Sequence, residues 1–355
     1  MLNADLIMNK NDIEKKVANA IDEVFGVVPF VRSTQVVCRE RVGDPDFSVF
    51  LRLDNCDVTM IVAVKVSGEP RFAREAVNEL FQFRSERLDA YPVLIAPYVS
   101  LSAGQILKDA RMGYLDLAGN CYMAFGSVFI SREGRKNPYS ASRTLKSLCQ
   151  PISSRILRVL LADPLRVWKS QSLSVEADAS IGQVANVKKV LKDREWVKES
   201  SDGFHLSSPK ETLVEWAENY DFRKNSINSF YAIEGVSGAE KRVAEACHAL
   251  GIEYAITSFA GAARLAPNVL YKRSEIYVAE RIDLVAEAAG LKKVGSGANI
   301  RLLEPYDRGV FYQSREIDGL RVACPVQVYL DVLAQKGRGE EAAETILHEV
   351  ISKSW

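Results

Sequence analysis

Several things are scarce in this sequence of 355 residues. Its six cysteines, Cys38, Cys56, Cys121, Cys149, Cys247 and Cys324, are scattered and include no Cys-x-x-Cys pair. That excludes a dense disulfide framework and leads us to expect buried free thiols in a reducing cytoplasm. The three histidines, His205, His248 and His348, stand far apart, none at ligand spacing from a cysteine. A structural zinc site is therefore not expected. No run approaches the roughly 20 apolar residues of a membrane span. The start, Met1-Leu-Asn-Ala-Asp, has no basic region followed by an apolar stretch. Neither a secretory signal nor a membrane role is expected. Net charge is missing too, with 46 Lys and Arg against 46 Asp and Glu. Any nucleic-acid surface must then be a local patch.

What is present fits a folded protein of more than one domain. A composition 47% hydrophobic and 26% charged argues against disorder, and the length exceeds one hydrophobic core. The most informative stretch runs from Pro151 to Pro209. Residues 152–161 have the apolar spacing of a buried helix, and a breaker follows at Asp163-Pro164. Trp168, Leu173, Val175 and Ala177 carry a short second element. After the turn Asp178-Ala179, Ser180 with Gln183 forms a capping box for a third helix running to about Arg194. Ile181, Val184, Val187 and Leu191 point inward on that helix. Trp196-Val197, Ser200 to Gly203 and Phe204-His-Leu206 read as a hairpin, with Asp202-Gly203 at its turn.

Helix, helix, turn, helix, hairpin resembles a winged helix-turn-helix. That resemblance implies a third helix in the DNA major groove and a wing on the backbone or in the minor groove. It assigns contact with double-stranded DNA to Ser180, Gln183, Asn186, Lys188, Lys189 and Arg194 around the third helix, and to His205 on the wing. Residues 141–210 hold twelve Lys or Arg against seven Asp or Glu, a surplus that suits phosphate contact. The bland alternative is a protein-contact module with an ordinary solvated lysine face.

Upstream, residues 11–28 read as an amphipathic helix and 47–53 with 59–66 as an antiparallel hairpin. A helix over 71–88, an apolar strand at 92–96, a helix over 102–112 and strands at 114–117 and 121–125 follow. This order resembles the PD-(D/E)xK, restriction-endonuclease-like core over about residues 10–132. That family places an Asp before its second strand and an acid and a Lys two positions apart on the third. The acids hold Mg²⁺ there, and the lysine helps activate water. Here Asp46 precedes the first hairpin strand and Lys65 fits the lysine, but Ala63 stands where the second acid belongs. Glu69 and Glu75 are the nearby acids that could take over. An inactive domain with Asp46 and Lys65 as vestiges, lying close together, is expected. The string from Gly113 to Cys121 resembles a segment of bacterial proteins that join a nuclease-like domain to a winged helix, with Asp116 read as a turn carboxylate.

Residues 133–143 read as a linker containing Arg135, Lys136 and Arg143, and a second boundary falls at 219–228. Beyond it, helices over 238–250, 258–265, 282–289, 325–335 and 339–352 alternate with strands at 254–257, 275–278, 300–303 and 320–322. Residues 254–263, Gln327 to Asp331 and the stretch from Gly337 resemble the carboxy-terminal half of AbiEi-type antitoxins. Those are type IV toxin–antitoxin proteins joining a winged helix to a nucleotidyltransferase-like α/β domain. Gly295-Ser296 and the acids Glu304 and Asp307 are present, but no Asp-x-Asp pair, so Gly295 to Gly297 reads as a loop.

The sequence thus predicts an α/β multidomain chain. A restriction-endonuclease-like domain would span 1–135, a winged helix-turn-helix 144–210 and a nucleotidyltransferase-like domain 226–355. The expected function is a DNA-binding, antitoxin-like transcriptional regulator without a cofactor, binding an operator as a homodimer and partnered by a cognate toxin or another protein. The alternative is a Mg²⁺-dependent nuclease targeted by the winged helix.

Overall fold

Apolar periodicity decides the first layer. In the computed structural model, α1 (Lys10–Phe25) turns Ile13, Val17, Ile21 and Val24 onto one face, and all four are buried against a sheet. The described residues are 10–39, 44–86, 89–126, 128–139, 148, 150–266, 269–335 and 338–355. Arg143 of the expected linker, Cys149 and Gly337 lie outside them.

Contacts divide the chain into two units, residues 1–144 with 190–195 and residues 145–189 with 196–355. The first holds a seven-stranded sheet whose strands lie in chain order. They are β1 (Val31–Cys38), β2 (Phe47–Leu53), β3 (Asp57–Val64), β4 (Tyr91–Ala96), β5 (Gly113–Asp116), β6 (Cys121–Phe125) and β7 (Val128–Arg132). β3, β4 and β5 run parallel, and the outer pairs are antiparallel. Every residue of β4 is buried, the pattern of a central strand covered on both faces. Val62 and Val64 join α1 on one face. Ile61 and Ala63 join Ala73, Ala76 and Leu80 of α2 (Pro70–Glu86) and Ala103 and Leu107 of α3 (Leu101–Asp109) on the other. Each fully buried Val, Ile or Leu in these layers contributes roughly 1.5–3 kcal/mol.

β1 and β7 are absent from the sequence reading. β1 is an edge strand without apolar alternation, its residues half-buried or exposed throughout. Its presence makes β2 the second strand, so the element order is α-β-β-β-α-β-α-β-β-β.

The second unit begins with α4 (Pro151–Ala162), α5 (Ser170–Glu176), α6 (Ile181–Asp193, of which residues from Val190 on are grouped with the first unit), the hairpin β8 (Val197–Ser200) and β9 (Gly203–Leu206), and α7 (Pro209–Asn219). A second seven-stranded sheet follows, in the shuffled order β13-β10-β14-β12-β11-β16-β15. Its members are β10 (Ser226–Tyr231), β11 (Tyr254–Thr257), β12 (Ser274–Val278), β13 (Lys292–Lys293), β14 (Ile300–Glu304), β15 (Arg315–Ile317) and β16 (Leu320–Val322). α8 (Val236–Leu250) and α10 (Ile282–Ala288) bury Val243, Cys247, Ile282 and Val285 against Ile256, Ile276, Ile300 and Leu302. The opposite face of β11 and β12 meets α11 (Pro325–Leu333). α9 (Ser258–Leu265) and α12 (Gly339–Ile346) are the remaining α-helices of this unit among the described residues. The sequence placed a boundary over 219–228, whereas the structure starts β10 at Ser226. No described helix is long and apolar enough to cross a membrane.

Candidate nucleic-acid interface

Three short helices and a hairpin build the segment 151–206, and its inward face is apolar. Leu157, Leu160, Trp168, Leu173, Val184, Val187, Val197, Phe204 and Leu206 are all buried. The turn between α5 and α6 is local chemistry. Asp178 takes a left-handed φ of +47°, which aspartate tolerates better than most residues. The cap is reciprocal: the Gln183 backbone N–H donates to Ser180 Oγ at 3.2 Å, and the Ser180 N–H donates to Gln183 Oε1 at 2.9 Å. Two otherwise unpaired donors at the helix start are thereby satisfied.

The hairpin pairs Val197 with Leu206, Lys198 with His205 and Glu199 with Phe204. Trp168 adds a third partner, its N–H donating to the Phe204 carbonyl at 2.8 Å and its carbonyl accepting the Phe204 N–H at 3.0 Å. That close approach explains Gly203. A Cβ there would lie 2.3 Å from the Trp168 carbonyl oxygen, and its φ is +148°, so only glycine fits.

The seven residues singled out from sequence fall into different surroundings. Asn186 and Lys189 lie on the outward face of α6 with Gly182 and Ala185, all exposed. Ile181, expected inward, is instead 55% exposed, because it sits in the first turn, beyond the layer that Val184, Val187 and Leu191 fill. Gln183 is half-buried and its amide oxygen is held by Ser180. Lys188 turns toward the hairpin, with its ammonium 2.8 Å from Glu199 and 4.7 Å from the centre of the Phe204 ring. His205, half-buried, alternates with the inward Phe204 and Leu206. Arg194 follows the last helical residue and is half-buried.

The basic surplus divides as well. Arg155 of α4 donates from Nε to Asp307 at 2.8 Å and from Nη1 to Asp178 at 2.6 Å. The hydrogen bond to Asp307 pushes its pKa further up. Arg158, one turn on, is 1% exposed. It donates to Gln327 and lies 5.0 Å from the centre of the Trp216 ring. Arg158 is buried and Arg155 half-buried with its guanidinium paired to two acids, whereas Lys169, Lys189, Lys192 and Lys198 are exposed.

Arg158 leads into a buried polar cluster. Asp331 of α11 is fully buried and accepts from Thr257 Oγ1 at 2.5 Å, Tyr220 at 2.6 Å, Tyr277 at 2.9 Å and Gln327 Nε2 at 2.9 Å. Burial pushes its carboxyl up to about 6, the hydrogen bonds pulling the other way. Burial likewise pushes Tyr220 and Tyr277 well above the usual phenol range. The sequence signal was a glutamine and an aspartate four apart in an otherwise apolar helix. Such a pair shares one face, and its partners come from distant strands.

In the first unit, the Asp46 carboxylate accepts the Val64 N–H at 2.7 Å and lies 3.8 Å from Arg39. Lys65, expected beside Asp46, pairs instead with Glu79 of α2 at 2.5 Å. The Ala63 side chain is buried among the alanines of α2. Asp116 is a turn carboxylate, accepting from the Val99 N–H at 3.1 Å and from the Asn120 backbone and side chain at 2.8 and 2.9 Å. Burial raises its pKa and those bonds lower it. Gly295 to Gly297 is an exposed loop, and Asp307 is committed to Arg155 and the Gly309 N–H.

None of the curated proteins and none of the solved structures compared with the chain matches it. Residues 205–352, under half of the chain, match the model of the AbiEi_2 family, described as transcriptional regulator, AbiEi antitoxin, type IV TA system.

Proposed function

We propose that the chain is a DNA-binding transcriptional regulator of the antitoxin kind, and that residues 144–210 act as a winged helix-turn-helix on an operator. The observation that carries this reading is the outward face of α6, where Asn186 and Lys189 stand exposed on a helix whose start is fixed by the Ser180–Gln183 cap. The matched family, described as a transcriptional regulator and antitoxin, supports it. One module of this size covers a short half-site, so a homodimer on a two-fold operator is the expected assembly. The family's description also names a type IV toxin–antitoxin system, which makes a cognate toxin the expected protein partner. A gel shift with duplexes from the region upstream of the protein's own coding sequence, against excess competitor DNA, tests the reading. A retarded complex that survives competitor is expected, and none at any protein concentration would overturn it.

The nuclease alternative draws on one observation, the pairing of Lys65 with Glu79, which puts an acid beside the candidate lysine. The residues nevertheless fit Mg²⁺ poorly. Asp46 already accepts a backbone N–H, Ala63 offers no oxygen, and no group of three or more metal-binding side chains occurs among the described residues. We therefore read residues 1–135 as a nuclease-like scaffold without metal chemistry. Supercoiled plasmid incubated with the protein and Mg²⁺ or Mn²⁺ should remain intact. Nicking that disappears in Asp46→Ala or Glu79→Gln would promote the nuclease reading.

A further inference from the structure

We infer that α6 reads a half-site containing A·T pairs in the DNA major groove, Asn186 taking an adenine edge and Ile181 and Ala185 the methyl groups of thymines. This rests on the DNA-binding reading proposed above and names the class of sequence recognised.

Few side chains of α6 are left to do the reading. Gln183 gives its amide oxygen to the cap, and Lys188 gives its ammonium to Glu199. The outward residues that remain are Ile181, Gly182, Ala185, Asn186 and Lys189. Major-groove chemistry then narrows the target. An asparagine amide matches the N6 donor and N7 acceptor of adenine, and small apolar side chains match the thymine C5-methyl, whereas arginine is the commonest reader of guanine. No arginine occurs between Ile181 and Asp193. A side chain as apolar as Ile181, 55% exposed in the first turn of a helix, has a role once a methyl group lies against it. Ile181 and Ala185 are one turn apart. With a rise of about 1.5 Å per residue they lie about 6 Å apart along the helix, close to two base-pair steps of about 3.4 Å.

Charge around the face suits the duplex. Lys169, Lys189, Lys192 and Lys198 are exposed, while Asp178 and Glu199 are held by Arg155 and Lys188. Lys189, one turn beyond Ala185, supplies phosphate contact.

The test uses the full chain. Duplexes selected from a randomised library are sequenced. In the best of them each thymine is replaced in turn by deoxyuridine, which removes only the C5-methyl. A·T positions should be enriched, and at least one deoxyuridine should weaken wild-type binding several-fold. Ile181→Ala or Ala185→Gly should bind the thymine and deoxyuridine duplexes alike at that position. Asn186→Ala should lose roughly fivefold or more of its preference for one adenine. Thermal melting checks that each variant is folded, as expected for exposed positions. Duplexes retained without A·T enrichment, or a wild type indifferent to every methyl, would overturn this inference and leave DNA binding standing. No duplex retained above competitor would overturn both.

Discussion

Two basic helices of the central segment, α4 and α6, are put to opposite uses. Both look like contributors to a phosphate-binding surface in the sequence, where they share the local surplus of Lys and Arg. In the structure α4 turns Arg155 and Arg158 into its own unit, onto Asp307 and Gln327, whereas α6 leaves Lys189 exposed. A charge count cannot make that distinction, because Asp307 and Gln327 lie 152 and 169 residues further along the chain than the arginines they hold. Guanidinium is also suited to such internal use, since its planar fork bonds in fixed directions and stacks on aromatic rings.

Removing the buried guanidinium of α4 should cost the most stability. Arg158→Ala leaves the Gln327 amide oxygen without its donor and opens space beside Trp216. We expect a loss of about 2–4 kcal/mol in denaturant unfolding, with little change in DNA affinity of the folded fraction at 4 °C. A variant as stable as wild type would show that Arg158 is not part of the internal framework.

Asp331 sharpens the same point through pH. Its folded pKa, about 6, lies above the ordinary 3.8, so the folded state holds the proton more tightly than the unfolded one. The resulting stabilisation is fully present below about pH 4 and is lost as pH rises through about 6. Unfolding midpoints of wild type relative to Asp331→Asn should therefore fall between about pH 4 and 6 and level off above. A flat difference would mean that the carboxyl titrates normally.

On the α6 side the expected effects are on binding. Lys189→Ala should reduce the salt dependence of DNA affinity by about one phosphate contact and change stability by under about 0.5 kcal/mol. Lys188→Ala should have the smaller effect on salt dependence. Its part-exposed pair with Glu199 is worth under about 1 kcal/mol of stability. Equal salt slopes for the two variants would erase the distinction drawn between these neighbours.

The legible parts of the chain were local. The Ser180–Gln183 cap, the Asp202-Gly203 turn and the Asp116 turn each close within four residues, so residue type and spacing were enough to read them. Apolar periodicity placed α1, α6, α8 and β4 for the same reason. β1 escaped because Arg32, Ser33, Thr34 and Gln35 give an edge strand no apolar alternation, and edge pairing does not demand one. β10 escaped because its alternation is weak and half of it is exposed. The Asp331 cluster, the Lys65–Glu79 pair and the diversion of Lys188 to the hairpin depend on side chains brought together by folding. Their members could be named from sequence, but their partners could not.

Whether α6 presents a DNA-reading face is decided by fluorescence anisotropy. The full chain would be titrated into a labelled duplex from its own upstream region, with excess competitor, over a range of salt concentrations. The account predicts saturable binding that weakens steeply with salt, with a shallower slope in Lys189→Ala and an unchanged slope in Arg155→Lys. Binding with the same slope in wild type and Lys189→Ala, or no binding above competitor, would contradict it.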